Sequence, residues 1–382
     1  MPLDFSPSDG DTQLLAAIDR FFERHLPPDE VRRRDEAAIP PYDLLPAMGE
    51  MGLFATAVPE AHGGLGLPWE TVALVQERLG RSAYMAASIF NRVVGFGAMS
   101  ILTYGSDAQK SALLPPLLQG RLLISLALTE PGAGSDAAAM VTRARRVEGG
   151  WRITGRKTWI SDAAGSTFML TAARSDPDQT GPKGISLFLV PPGSQGVAMT
   201  KLPKLGNNCM PSYDIGFDEV FVPADAIIGT EGGGFRHLMS TLHYSRASMA
   251  ATTMGCAQGA VDLAIAHAKE RRQFGKPIGS FQAIRFRLAD MQMRVDQARL
   301  VVQHLAWLIG TGRECRRQAA QAKVISTEAL QFVARHGMQI LASAGYAMES
   351  DMQRILRDST LYSFGEGSNE IQRELIAREL GL

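Results

Sequence analysis

The texture of the chain changes twice, and this double change constrains the fold more than any single residue does. Up to about residue 120 apolar side chains recur at helical spacing, as in the stripe Leu14, Leu15, Ile18, Phe21, Phe22 and Leu26. From about 121 to 229 that period fades, and short apolar runs such as Ile185–Val190 and Val220–Val222 sit between Gly and Pro clusters. After Glu231-Gly-Gly-Gly234 the helical texture returns. One periodic stretch over about 235–272 carries Ala247, Ala251, Gly255 and Gly259, small residues that let another helix come close. Further helices are expected near 281–309, 315–342, 350–362 and 369–380. The predicted class is α+β multidomain, with an N-terminal α-helical domain over 1–120, a middle β-domain over 121–229 and a C-terminal α-helical bundle domain over 230–382.

Local punctuation refines this layout. Pro59–Pro68 reads as a loop, Trp69–Leu79 as a helix with Gly80 at its C′ position, and Asp107 as the cap of a helix that stops at Gly120. A hairpin turn is expected around Gly149-Gly150. Arg32-Arg33-Arg34, followed by Asp35 and Glu36, reads as a solvated helix face.

The 382 residues, 45% hydrophobic and 20% charged, exclude a disordered chain. Lys+Arg 39 against Asp+Glu 39 leaves no net charge, which argues against nucleic acid or an acidic membrane as the chief partner. Cys209, Cys256 and Cys315 are odd in number and widely spaced, suggesting a reducing compartment without disulfides. The seven histidines show no ligand spacing, so no metal is expected. Residues 1–11 lack the basic start and apolar core of a signal peptide. The longest tempting apolar span, Ala247–Val261, falls short of the roughly 20 residues that cross a bilayer. A cytoplasmic protein is expected.

Four motifs carry possible chemistry. In Thr129-Glu-Pro-Gly-Ala-Gly-Ser-Asp136 the glycines mimic a dinucleotide fingerprint, but Pro131 and the strands that follow argue against that fold. The loop can still offer N–H groups and the hydroxyls of Thr129 and Ser135 to an acceptor-rich ring or phosphate; the bland alternative is a glycine turn. Trp159-Ile-Ser161 could stack on a flat cofactor and donate one hydrogen bond, or simply pack in the core. Arg271-Arg-Gln-Phe-Gly275, with Gln282 downstream, could hold a pyrophosphate or merely complement a helix C-terminus. In Gly365-Glu-Gly-Ser-Asn-Glu-Ile371 the flanking glycines leave the Glu366 carboxylate unobstructed ahead of a helix that Ser368 caps. Such an acid could act as a general base, with neighbouring N–H groups polarising a carbonyl, or be held there only by the helix dipole. No G-x-S-x-G serine and no P-loop lysine is present.

Taken in order, Leu126–Asp136, Gly155–Ser161, Arg271–Gly275, Gly345-Tyr346, Arg357-Asp358 and Glu366–Gln372 make the whole chain resemble the acyl-CoA dehydrogenase family. The resemblance implies a C-terminal four-helix bundle, non-covalent FAD and a homotetramer built as a dimer of dimers. It places the flavin between Trp159 and the Leu126–Ser135 loop, with Leu126, Leu128, Thr129, Gly134, Ser135 and Ser161 on the cofactor. Arg271, Gln273, Phe274 and Gln282 would hold the adenosine diphosphate part across a dimer interface, with Gln339, Ile340 and Ser343; Ser368 and Glu370 would also touch cofactor. Ser135, Arg246 and Gly367 would meet the substrate.

The implied reaction is α,β-dehydrogenation of an acyl-CoA to the 2,3-enoyl-CoA. Glu366 takes the α-proton, flavin N5 takes the β-hydride, and a ribityl hydroxyl and the Glu366 N–H polarise the carbonyl. An electron-transferring flavoprotein would reoxidise the FAD. Burial should raise the Glu366 pKa and the helix N-terminus should lower it. Some members carry the base immediately before the bundle-helix arginine; here Ser245 precedes Arg246, leaving Glu366 without a competitor. Three positions depart from the pattern: His243 stands where the bundle helix usually has an acid, Gly365 stands for tyrosine, and Ala342-Ser343 for Gly-Gly. An acyl-carrier-protein-linked dehydrogenase and a non-catalytic flavin-bound assembly protein are the alternatives.

Overall fold

The computed structural model describes residues 6–382. It opens with α1 (Asp9–His25), α2 (Pro28–Ala37), α3 (Leu45–Glu50) and α4 (Trp69–Ser82). Next, α5 (Tyr84–Phe90) runs through a π-helical stretch, Asn91–Ala98, into α6 (Met99–Tyr104), and α7 (Asp107–Leu118) closes the helical part. The apolar stripe of α1 buries Ile18, Phe21 and Phe22 as its spacing requires. The run Tyr84–Tyr104 is long and apolar enough to cross a membrane by length and composition, yet 94% of its most apolar window lies inside the molecule.

Three local expectations are corrected here. Gly80 is not a C′ residue: α4 continues to Ser82, and a Cβ on Gly80 would meet the Thr252 carbonyl oxygen at 2.4 Å, so the glycine serves close helix packing. The cap before α7 is Ser106, whose side chain accepts from the Gln109 N–H, while Asp107 is the first helical residue. Arg32–Arg34 is not wholly solvated. Arg34 is buried and forks between Glu30 (2.7 Å) and Asp43 (2.7 Å), and Asp35 accepts from Arg357 at 2.5 Å.

The middle of the chain folds into strands β1 (Ile124–Ala127), β2 (Arg143–Val147), β3 (Gly150–Ser161), β4 (Phe168–Arg174), β5 (Ile185–Val190), β6 (Val197–Leu202), β7 (Ser212–Pro223) and β8 (Ile227–Ile228). They form one sheet in the order β6-β7-β3-β2-β4-β5-β8, with β1 parallel to β4. The β2–β3 hairpin pairs Val147 with Gly150, so its loop is Glu148-Gly149, and Gly149 takes a left-handed φ of 76° that glycine adopts without strain. Trp151, Ile153, Phe188 and Phe217 fill the sheet core.

The last part begins with α8 (Gly234–Glu270), 37 residues long, followed by the short antiparallel pair β9 (Arg272–Gln273) and β10 (Lys276–Pro277). Then come α9 (Gln282–Gly310), α10 (Arg316–Leu341), α11 (Ser343–Tyr346), α12 (Asp351–Ser359) and α13 (Asn369–Glu379). Helix α8 packs against α4, α9 and α10. Its small residues let α4 approach as expected: a Cβ on Gly255 would stand 2.0 Å from the Glu77 carbonyl oxygen. The architecture is thus an N-terminal helical part, a middle sheet and a C-terminal helical part.

Candidate active site

Glu366 projects from a turn just ahead of α13, where Ser368 caps the helix by accepting from the Ile371 N–H. The turn bends sharply: Glu366 itself adopts φ 54° and Gly367 φ 90°. A left-handed glutamate is uncommon, and such strain gathers where side-chain direction matters. The carboxyl is held at both oxygens. Ser245 Oγ donates to Oε2 at 2.5 Å, and Asn91 Nδ2 donates to Oε1 at 3.3 Å. Among the described residues no acceptor takes the Glu366 backbone N–H.

Burial raises the Glu366 carboxyl above its ordinary value, against the pull of the Ser245 hydrogen bond and of the Arg92, Arg246 and Lys323 cations. Burial therefore wins in the free protein. The cations pay the same penalty: burial lowers Arg246, and it lowers Lys323 to about 8. Lys323 is fully buried on α10 and donates to Asn369 Oδ1 at 2.8 Å. Arg246 is also buried, and its Nε meets no partner within the described residues. A guanidinium N–H left unpaired beside a carboxylate is a group waiting for a ligand atom.

The sheet reaches this acid through Arg92. Arg92 Nε donates to Asp162 Oδ2 at 3.1 Å, and Tyr42 Oη donates to Asp162 Oδ1 at 2.9 Å. Burial opposes the Arg92 charge, but Asp162, Tyr84 and Glu366 together hold it above its ordinary value. Asp162 follows the end of β3, so the strand bearing Trp159 and Ser161 is tied to the helix bearing Asn91.

Trp159 stands out on that strand. The β3–β7 register slips between Lys157 and Ile160, and Trp159 takes φ 60° with 55% of its surface exposed. A bulge re-aims a side chain, here turning an indole outward. The Thr129 loop lies beside it: the Thr158 N–H donates to the Thr129 carbonyl at 2.9 Å. A fully buried ion pair fixes that loop. Lys157 Nζ donates to Glu130 Oε1 at 2.8 Å and to the Leu128 carbonyl at 2.9 Å, and burial lowers the lysine to about 8. Glu130 also accepts from the Val141 and Thr142 N–H groups. Gly134 and Ser135 at the loop tip are exposed, whereas Leu126, Leu128, Thr129 and Ser161 are part-buried. An outward indole beside a loop of exposed polar groups fits a flat, acceptor-rich ring such as a flavin.

The remaining expected residues lie elsewhere in the chain. Arg271, Gln273 and Phe274 sit exposed around the β9–β10 turn, Phe274 at 91% exposure and φ 49°, with Gln282 exposed at the start of α9. Gln339 and Ser343 are exposed at the end of α10 and the start of α11, and Glu370 is exposed on α13. Ile340 differs: its side chain is buried in the bundle core, leaving only its backbone to meet a ligand. Asn91, Lys323 and Arg92 went unforeseen, and Ser245 was noted only as the absence of a rival acid.

The family comparisons match this layout. Models of the acyl-CoA dehydrogenase N-terminal, middle and C-terminal domains match residues 8–121, 125–220 and 232–381. The chain is 38% identical to the probable acyl-CoA dehydrogenase YngJ of Bacillus subtilis, over 89% of this chain and 90% of that one. The chain belongs to the acyl-CoA dehydrogenase family. Among solved structures, butyryl-CoA dehydrogenase from Megasphaera elsdenii superimposes with a TM-score of 0.95 at 31% identity, covering 100% of both chains. An FAD complex of PigA superimposes with a TM-score of 0.93 at 27% identity, again over 100% of both. This acyl-CoA dehydrogenase family member is thus an oxidoreductase, similar both to a butyryl-CoA dehydrogenase and to a protein solved with FAD.

Proposed function

We propose that this protein is an FAD-dependent dehydrogenase that forms a 2,3-enoyl thioester from an acyl-CoA, with Glu366 as the base. The observation that carries this reading is one carboxyl, raised by burial, gripped at both oxygens and ringed by buried cations on a strained turn. A raised carboxyl is a better proton acceptor than an ordinary one, and the Ser245 and Asn91 contacts aim it. The free Glu366 N–H is available to the thioester carbonyl, where enolate-like charge builds as the α-proton leaves. Arg246 lends positive charge beside the same atoms.

FAD would rest its ring on Trp159 and the Leu126–Ser135 loop, with Leu126, Leu128, Thr129, Gly134, Ser135, Ser161, Ser368 and Glu370 around it. Arg271, Gln273, Phe274, Gln282, Gln339, Ser343 and the Ile340 backbone would take the adenosine diphosphate part. Bound there, FAD supplies a two-electron acceptor for the hydrogen leaving the β-carbon. Ser135 and Gly367 would line the thioester path with Arg246.

The exposed ADP-binding residues fit an assembly in which a second copy covers them. Helix α9 supports this: Phe286, Met293, Leu300 and Trp307 recur every seven residues and are all exposed, a seam suited to another copy of the chain. We read the assembly as a homotetramer, its electron acceptor as an electron-transferring flavoprotein and its place as the cytoplasm. A second reading, an acyl-carrier-protein substrate, rests on His243 standing where the bundle helix of the family usually has an acid. Anaerobic mixing of the FAD-loaded protein with one acyl group on CoA and on carrier protein tests both readings. Bleaching of the flavin band is expected, and a protein that no acyl thioester bleaches overturns the proposal.

A further inference from the structure

Residues 84, 88 and 92 lie four apart on one face of the helix that begins with α5. Their polar heads converge on a single sulfur: Arg92 Nη2 stands 2.9 Å, Ser88 Oγ 3.0 Å and Tyr84 Oη 3.8 Å from Met210 Sδ. A thioether is a weak acceptor, whereas a guanidinium and two hydroxyls are strong donors. Buried donors are normally satisfied by oxygen. Met210 is unbranched and flexible, so it can move aside. It also borders, with Tyr84 and Cys209, a small void of ≈ 10 Å³, room for about one water, so an acyl chain enters here only as the Met210 side chain swings away.

These donors stand on the same helical run as a partner of the base. Asn91, the residue before Arg92, donates to Glu366, and the Arg92 charge acts on that carboxyl. From there Ser88 and Tyr84 follow one helical turn at a time, about 5.4 Å each. Asp162 takes Arg92 Nε and, with Tyr42, pins the guanidinium so that its other edge stays turned toward the sulfur. A plain alkyl chain in this place would cover the Arg92 and Ser88 donors with methylenes, while the Tyr84 hydroxyl also meets those of Tyr362 and Ser88.

We infer that the pocket takes an acyl chain bearing an oxygen acceptor at its far end, a carboxylate or a hydroxyl, held by Arg92, Ser88 and Tyr84. The inference deepens the dehydrogenase reading and rests on it, since Glu366 marks where the reacting carbons lie.

Affinity tests it without turnover. The FAD-loaded Glu366→Gln protein is titrated with CoA thioesters of four to six carbons, each length supplied as the alkyl, the terminal hydroxyl and the terminal carboxylate. The inference expects an oxygen-ended ligand to bind about tenfold or more tightly than the alkyl of equal length. That preference should shrink in Ser88→Ala, which leaves the Arg92–Asp162 pair intact, and in Arg92→Lys. The hydroxyl and carboxylate arms separate a neutral terminus from an anionic one. A smaller preference at every length, or one that survives both substitutions, overturns the inference. Flavin bleaching in the Glu366→Gln protein would instead defeat the base assignment, while the affinity comparison would still stand.

Discussion

Replacing Ser245 with alanine removes the hydroxyl that donates to Glu366 Oε2 across 2.5 Å. A hydrogen bond to a charged partner contributes roughly 1.5–3 kcal/mol. Asn91 still donates to Oε1 at 3.3 Å, and the Arg92, Arg246 and Lys323 cations remain, so the lower end of that range applies. About 1.4 kcal/mol is tenfold in a proton-binding constant, so the variant carboxyl should hold its proton about tenfold more tightly. The sign follows from the causes: burial raises this group and Ser245 lowers it, so losing Ser245 raises it further. The assay is single-turnover, anaerobic flavin reduction by one acyl thioester across a range of pH. Both profiles should rise with pH, because the base must be ionised. The Ser245→Ala limb should lie at higher pH, with the two rates converging on the alkaline side. An acid limb that stays in place, or moves to lower pH, refutes the reasoning.

Lys157→Met strips Glu130 of its cation where both side chains are nearly inaccessible (0% and 4% exposed), and should cost about 3–5 kcal/mol in urea unfolding. The wild type also carries a pH signature from this lysine. Its folded pKa of about 8 lies below the ordinary 10.5, so its contribution to stability is least below 8 and grows as pH rises from there to 10.5; the methionine variant should lack this rise. Gly255→Ala drives a Cβ to 2.0 Å from the Glu77 backbone oxygen and should destabilise by about 1–3 kcal/mol or more, read as a lower unfolding midpoint. Adding FAD to the apoprotein should quench tryptophan fluorescence through the exposed Trp159, and Trp159→Phe should lose most of that quench; equal quenching would place the ring elsewhere.

The double change of texture was readable because it depends on local periodicity, and the sheet and both helical parts lie where the period changes. Glu366 was readable because glycines flank it in sequence. Its partners were not: Ser245 lies 121 positions away and Asn91 lies 275 away, and nothing local marks either as facing a carboxyl. Gly80 shows the same limit. Four residues of context suggest a helix cap, but its reason is the Thr252 carbonyl on α8. Arg34 looked solvated because its run is dense in charge, yet Asp43, nine positions on, folds back to meet it. The π-helical turn that carries Asn91 and Arg92 toward Glu366 left no sign in hydrophobic period, since all its residues but Arg92 are buried.

The most direct trial of the account is flavin reduction by the Glu366→Gln protein. That substitution keeps the side chain's size and a hydrogen-bonding oxygen but removes the basic carboxylate. The account predicts a protein that binds FAD and acyl thioester yet fails to bleach on anaerobic mixing with a thioester that reduces the wild type. Bleaching at the wild-type rate would contradict it.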